Sequence, residues 1–192
     1  SESMRMVFEI HSLKNATPAT VSRAGILYIN DTDVGHDPFV SSWLKTRSEN
    51  ERGILSDLFE RYLNKILEYY YSMKFETIVP LSMINIVQSL CLLLHGILTN
   101  SVIDVTETVM ERVFLYCAMW AFGGSLSVES KKQLSTFFRS LSKSLKFPHG
   151  ASSAANNTSD SNSSGGDHTA STVFDYAFDF NSGDIVPWYE KV

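Results

Sequence analysis

Apolar and polar side chains alternate over residues 4–11, and this period of two predicts a β-strand. A second, buried strand is predicted over residues 26–29, where apolar side chains follow one another without a break. Two strands joined by so short a crossover need further strands beside them to form a stable sheet. We therefore expect both strands to belong to a larger sheet whose other strands lie outside this sequence.

A short helix is predicted between these strands, because Thr17 can cap its start, Pro18 suits its first position and Gly25 can close it. Arg23 stands at the end of this helix, where rigid elements would point its side chain past the edge of the sheet. A guanidinium is permanently charged and forked, which suits a phosphate that a neighbouring module presents. Spacing alone favours the other interpretation, in which Arg23 pairs with a helix-end carbonyl or a nearby carboxylate.

Apolar residues recur at helical spacing over about residues 38–146, which predicts a bundle of about four helices. Continuous apolar faces mark the first two helices, over residues 54–67 and 84–98. The second face lies within residues 77–103, which contain no Asp, Glu, Lys or Arg, but Pro80 and several polar residues interrupt the apolar run. A buried helix therefore fits this stretch better than a membrane span.

Start and stop signals delimit two further helices. Thr108 and Glu111 fit a capping box at the start of the third helix, and Gly123 with Gly124 predicts its end. The fourth helix is predicted over about residues 128–145, and a proline follows soon after its end.

The last part of the sequence changes character twice. Residues 151–172 are mostly Ser, Asn, Ala, Gly, Thr and Asp without a large apolar side chain, so we predict a disordered surface insertion that is tolerated. Aromatic residues then alternate with acidic or small ones over residues 174–180, residues 181–184 fit a turn, and apolar residues return over residues 185–189. This pattern predicts a β-hairpin with one aromatic face.

Composition and motifs exclude several classes of function. Acidic residues outnumber basic ones, 21 to 16, and a net charge of −5 argues against a nucleic-acid-binding face. Cys91 and Cys117 cannot form a disulfide framework, and the five histidines do not fall at metal-ligand spacing, so no metal site is predicted. Neither G-x-x-x-x-G-K-[ST] nor G-x-G-x-x-G occurs, so the sequence encodes no phosphate cradle. No secretory leader is expected.

Several short runs, in order along the chain, resemble the dynein heavy chain. The most specific is Pro-Ala-Thr-Val-Ser-Arg-x-Gly, residues 18–25. The wider resemblance is carried by residues 4–10, 13, 16–30, 40–44, 120–124, 146–148, 173–176 and 187–191. More narrowly, the chain resembles the end and the lid of the second AAA+ module of the motor ring, in axonemal outer-arm heavy chains of the beta type.

The resemblance implies roles for three residues. Arg23 would be an arginine finger, a catalytic residue that reaches in trans into the ATP site of the preceding module. Glu9 occupies the region where AAA+ proteins place a sensor residue. Arg112 lies where a lid arginine could touch a nucleotide phosphate, and the alternative interpretation is an ordinary surface arginine of a helix.

The resemblance also implies a setting. The parent would be an ATP-driven, minus-end-directed microtubule motor of cilia or flagella, located in the cytoplasm and cytoskeleton at the axoneme. ATP or ADP with Mg²⁺ would be shared with residues outside this sequence. The partners would be neighbouring AAA+ modules, dynein intermediate and light chains, and microtubules reached through other regions, with no nucleic acid and no membrane.

The predicted fold is therefore an α/β remnant of an AAA+ large subdomain, then an all-α lid bundle, then a C-terminal β-hairpin. The corresponding ranges are residues 1–35, 36–148 and 173–192, with the disordered insertion at 151–172 and the hairpin leading to the next module. Walker A and Walker B motifs are absent, so the isolated chain should be inactive. Two alternatives stay open, a stand-alone helical protein-interaction module and the lid of a non-motor AAA+ ATPase.

Overall fold

The computed structural model divides the chain into two units, Ser1–Val34 and Gly35–Val192. It describes residues 6–100, 106–142, 145, 147, 172–179 and 181–188. The insertion predicted as disordered at 151–172 therefore lies outside the described residues, except for Thr172.

The first unit contains two short helices, α1 (Pro18–Arg23) and α2 (Asp31–Val34). Among the described residues the strands predicted over 4–11 and 26–29 are not formed, because residues 6–10 and 26–29 have no regular secondary structure. Their large apolar side chains are exposed, Val7 by 94% and Leu27 by 82%. A strand exists only through a hydrogen-bonded neighbour, and the pattern of side chains supplies no such neighbour.

Helix α1 begins as predicted and ends by a different device. The Thr17 hydroxyl accepts a hydrogen bond from the Thr20 amide at 3.3 Å, and Pro18 holds the first helical position. Arg23 is the last helical residue, and Ala24 is already extended, with φ −96° and ψ 137°. The prediction that Gly25 closes the helix is wrong, because Gly25 does not adopt a left-handed conformation.

The second unit is an all-α bundle, as predicted, followed by a short hairpin. Its helices are α3 (Asp37–Leu44), α4 (Glu49–Leu58), α5 (Asn64–Ser72), α6 (Met83–Asn100), α7 (Glu107–Gly123) and α8 (Val128–Leu141). A π-helical turn, Phe59–Leu63, joins α4 to α5. No helix among the described residues is both long enough and apolar enough to cross a bilayer.

Helix α7 is the centre of the bundle. It is buried over most of its surface, because α6, α4 and α8 all pack against it. Its N-cap is Thr106, whose hydroxyl accepts from the Val109 amide at 3.4 Å, so the cap predicted at Thr108 is wrong by two residues. Two threonines stand close together here, and the earlier one can form the cap without Glu111.

Helix α8 is shorter than predicted. It ends at Leu141, and Ser142 is extended, with φ −145° and ψ 141°. The Ser142 hydroxyl instead donates to the Glu111 carboxylate at 3.2 Å, and the Tyr62 hydroxyl donates to the same oxygen. The pKa of Tyr62 is raised, mainly because the phenol is buried and secondly because it donates a hydrogen bond to Glu111.

Two loops are joined at one corner of the bundle. The segment after α5 pairs with the segment after α7 through an isolated antiparallel bridge between Thr77 and Leu126. The Ile78 amide donates to the Ser125 carbonyl at 2.7 Å, and the Ser127 amide donates to the Glu76 carbonyl at 3.0 Å. Leu126 is fully buried, so the bridge is anchored in the core.

The C-terminal hairpin is formed by β1 (Tyr176–Phe178) and β2 (Ile185–Pro187) in antiparallel register, with Ala177 opposite Val186. The first strand is shorter than the aromatic alternation predicts, because Val173–Asp175 forms a 3-10 turn instead. The buried Phe174 ring of that turn packs so closely over Gly123 that a Cβ there would overlap it. The hairpin is thereby seated on the end of α7.

Candidate functional site

Arg23 is presented by a capped, six-residue helix in the first unit. Its side chain is exposed, and among the described residues its guanidinium has no hydrogen-bond or ion-pair partner. The helix-end carbonyl or nearby carboxylate that spacing alone favoured as a partner is therefore not engaged. The unused donors of this fork are free to bind an oxyanion from outside the unit.

Glu9 lies in the same unit, outside any helix or strand. Its side chain is exposed, and the structure pairs it with neither Arg23 nor any other described residue. The sensor role therefore stays a prediction.

Arg112 lies in the second unit, on α7, and contacts the hairpin turn. Its Nη1 donates to Asp184 Oδ1 at 2.6 Å and to the Gly183 carbonyl at 3.3 Å. Gly183 has φ +72°, a left-handed conformation that glycine adopts without strain, and this brings its carbonyl to the guanidinium. The phosphate contact implied for Arg112 is untested, and the structure gives the residue a second role in holding the hairpin.

One face of α7 contacts the hairpin and the 3-10 turn before it over two helical turns, from Arg112 to Trp120. Tyr116, one turn after Arg112, packs its ring 5.9 Å from that of Phe178. Trp120, one turn further, packs edge-on at 5.4 Å against Phe174. Burial raises the pKa of Tyr116, and a hydrogen bond with the Phe178 backbone opposes that rise.

Sequence reasoning missed this hairpin-binding face. Its signal is the spacing i, i+4, i+8 of Arg112, Tyr116 and Trp120, which places the three side chains in a row on one helix face. The partner Asp184 is 72 residues away in sequence, so no local pattern identifies it.

A second polar cluster joins α4 to α6. Arg47 forms a forked pair with Glu51, both bonds being 3.2 Å long, and the two side chains are only 9% and 15% exposed. Its Nη1 also lies 3.1 Å from His95 Nδ1. The Arg47 guanidinium is thus already occupied and stabilises the start of α4, next to the Ser48 and Glu51 capping box.

Neither cluster resembles a complete cofactor site. Among the described residues no three His, Cys, Asp or Glu side chains group as metal ligands would. A cleft of about 400 Å³ beside α6 and α7 is almost wholly apolar and offers no phosphate ligands. It is lined by Leu93, Ile97, Tyr116, Cys117, Trp120 and Trp188. The guanidinium groups of Arg47 and Arg112 are already engaged, whereas that of Arg23 has no partner among the described residues.

Both thiols should be unreactive in the folded chain. Burial raises the pKa of Cys91 from 9.0 to about 12 and also raises that of Cys117. At pH 8 the thiolate of Cys91 should be on the order of 10³-fold scarcer than in the unfolded chain, so labelling by a disulfide reagent should be slow. In guanidinium chloride both thiols should react at once, whereas a thiol that reacts at that rate in the native chain would contradict this burial.

The raised pKa of Cys91 also determines how its contribution to the free energy of unfolding changes with pH. Because the pKa of Cys91 is higher in the folded chain, its contribution to stability is complete below pH 9.0 and is lost as the pH rises towards about 12.

The second unit is a helical bundle, and the first unit carries an exposed arginine, Arg23. Residues 55–190 match the model of the dynein heavy chain AAA lid domain. The chain therefore belongs to the dynein heavy chain AAA lid family. This match decides against the lid of a non-motor AAA+ ATPase.

The similar proteins are much longer than this chain. It is 40% identical to the ciliary dynein beta chain of Tripneustes gratilla over 99% of its own length and 4% of that protein. It is 35% identical to dynein axonemal heavy chain 17 of Homo sapiens over 100% of its length and 4% of that protein. It is 31% identical to the flagellar outer arm dynein beta chain of Chlamydomonas reinhardtii over 99% of its own length and 4% of that protein.

Proposed function

We propose that this chain is part of an axonemal dynein heavy chain of the outer-arm beta type, an ATP-driven, minus-end-directed microtubule motor. The names of the relatives from Tripneustes gratilla and Chlamydomonas reinhardtii support this class, since both are beta chains of cilia or flagella. The chain works in the cytoskeleton of the axoneme. Its partners are the neighbouring AAA+ modules of the same heavy chain, the intermediate and light chains, and microtubules reached through other regions.

The observation that carries the molecular role is the presentation of Arg23. A capped helix holds it, its side chain is exposed, and none of its donors is used within the described residues. Arg23 acts in trans as the arginine finger of the preceding module. It stabilises the negative charge that develops on the γ-phosphoryl oxygens during transfer.

ATP with Mg²⁺, when bound between modules, supplies the phosphoryl group and the metal that neutralises part of its charge. Arg23 contributes one side of that shared site, and the phosphate cradle comes from residues outside this sequence. The helical bundle serves as the lid of its own module, with Arg112 near the nucleotide and Glu9 near the sensor position.

The location of the parent protein tests this proposal. A heavy chain tagged in ciliated cells should co-extract from isolated axonemes with the outer-arm complex under high salt, and should be absent from axonemes that lack outer arms. A chain tagged in the same way but carrying only residues 1–192 is the control and should not bind. A tagged heavy chain found only in the soluble cytoplasm would overturn the axonemal assignment.

A further inference from the structure

The hairpin is fixed to the bundle differently at its two ends. At the base, the Val173 amide donates to Ser135 Oγ at 2.9 Å, and both residues are buried. At the tip, the ion pair of Arg112 and Asp184 is partly exposed, by 27% and 61% of the two side chains. Water and salt therefore weaken the tip contact far more than the base contact.

The tip also carries hydrogen bonds of its own. The Asp179 carboxylate accepts hydrogen bonds from the Ser182 amide and hydroxyl, at 3.3 Å and 2.8 Å. The Gly183 amide donates to the Asp179 carbonyl at 2.9 Å, and the Asp179 amide donates to the Asp184 carbonyl at 2.8 Å. These bonds close the turn on itself, but a two-stranded hairpin without support from the bundle is only marginally stable, so they should open more often once the Arg112 contact is lost.

The Arg112 guanidinium does not use all of its hydrogen-bond donors in this contact. Nη1 makes both hydrogen bonds to the hairpin turn, whereas Nε is buried and has no partner among the described residues. A buried donor without a partner loses the hydrogen bond that it would form with water. The closed arrangement therefore carries a cost that opening the contact would relieve.

We propose that the Arg112–Asp184 pair is a latch that holds the hairpin tip on α7 and can open while the hairpin base stays in place. The turn that carries Asp184 thereby has a closed and an open position on α7, while the side chains of Phe178 and Ile185 stay buried in the core. The inference goes beyond the arginine-finger role, and it holds whether or not Arg23 acts on a nucleotide.

Hydrogen exchange in the 192-residue chain tests the latch. Asp184→Asn should accelerate exchange of the Asp179 and Gly183 amides about tenfold, because the ion pair with Arg112 is replaced by a hydrogen bond to an uncharged amide and the freed hairpin is marginal. The Val173 amide at the base should keep its exchange rate. In the unaltered chain, 1 M NaCl should reproduce part of the acceleration at the tip, and in Asp184→Asn it should add little.

Two further variants keep the test decisive. The charge exchange Arg112→Asp with Asp184→Arg should restore slow exchange at the tip, which a loss of packing alone could not do. Glu129→Gln removes an exposed ion pair of similar length, 3.1 Å to Lys132, and should leave the tip unaffected. Unchanged exchange at the tip in Asp184→Asn would overturn the latch, and so would equal acceleration at Val173, because the hairpin would then open as a whole.

Discussion

Replacing Arg23 by alanine in the full-length heavy chain should reduce ATP turnover at the preceding module by about 10³–10⁵-fold, the range for NTPases that use an arginine finger. The expected loss is large because an arginine finger acts where charge develops in the transition state. Microtubule gliding should fall with turnover. Steady-state ATPase and gliding speed of the purified motor measure both.

The structure offers a matched control for this variant. Arg52 is another helical arginine, 46% exposed, and its ion pair with Glu49 is long, at 3.9 Å. Arg52→Ala should leave turnover unchanged. Arg23→Lys keeps the charge and loses the fork, so it should restore only part of the activity. Normal turnover in Arg23→Ala, with the motor ring intact by electron microscopy, would sink the finger assignment.

Gly123→Ala should lower the free energy of unfolding by about 3 kcal/mol, at the upper end of the range for an overpacked core. Gly123 ends α7 and has no positive φ, so alanine is not strained by its backbone. The cost comes from space alone, since the new Cβ would overlap the Phe174 ring and lie 3.3 Å from Leu134 Cδ2. Urea unfolding followed by circular dichroism measures the change.

Gly53→Ala is the opposite case and the natural control. Gly53 lies within α4, and nothing stands within 4 Å of the position of its Cβ. Alanine should stabilise the helix there by about 0.5–1 kcal/mol, because it loses less backbone entropy on folding. If Gly123→Ala stabilised the chain as Gly53→Ala should, helix propensity and not the Phe174 contact would govern Gly123.

Local signals predicted those parts of the fold that local interactions form. Thr17 with Pro18 starts α1, and Gly123 with Gly124 ends α7, because caps and stops act within one turn of helix. The hairpin was found for the same reason, since its turn and strands are adjacent in sequence. The two strands expected in the first unit are not formed among its described residues, because the strands with which they were expected to pair lie outside this sequence.

In the candidate site, too, the sequence predicted local features and missed contacts between distant segments. The spacing placed Arg23 at the end of a rigid helix but favoured its pairing with a carbonyl or carboxylate nearby, and only the resemblance of residues 18–25 implied a partner module and a reaction. For Arg112 the sequence suggested a phosphate or plain solvent, whereas the structure adds Asp184, a partner from the far end of the chain. A contact between distant segments depends on the packing of the whole bundle, which periodicity does not encode.

The bridge between Thr77 and Leu126 has a consequence for how the lid deforms. It makes two loops far apart in sequence into a single stiff corner, so the loop after α5 cannot move without the loop after α7. Ile78 looks like a residue of a loose surface loop, since it is 73% exposed, yet its amide donates to Ser125 within that corner. Any deformation of the bundle should therefore spare this corner and fall on its other connections.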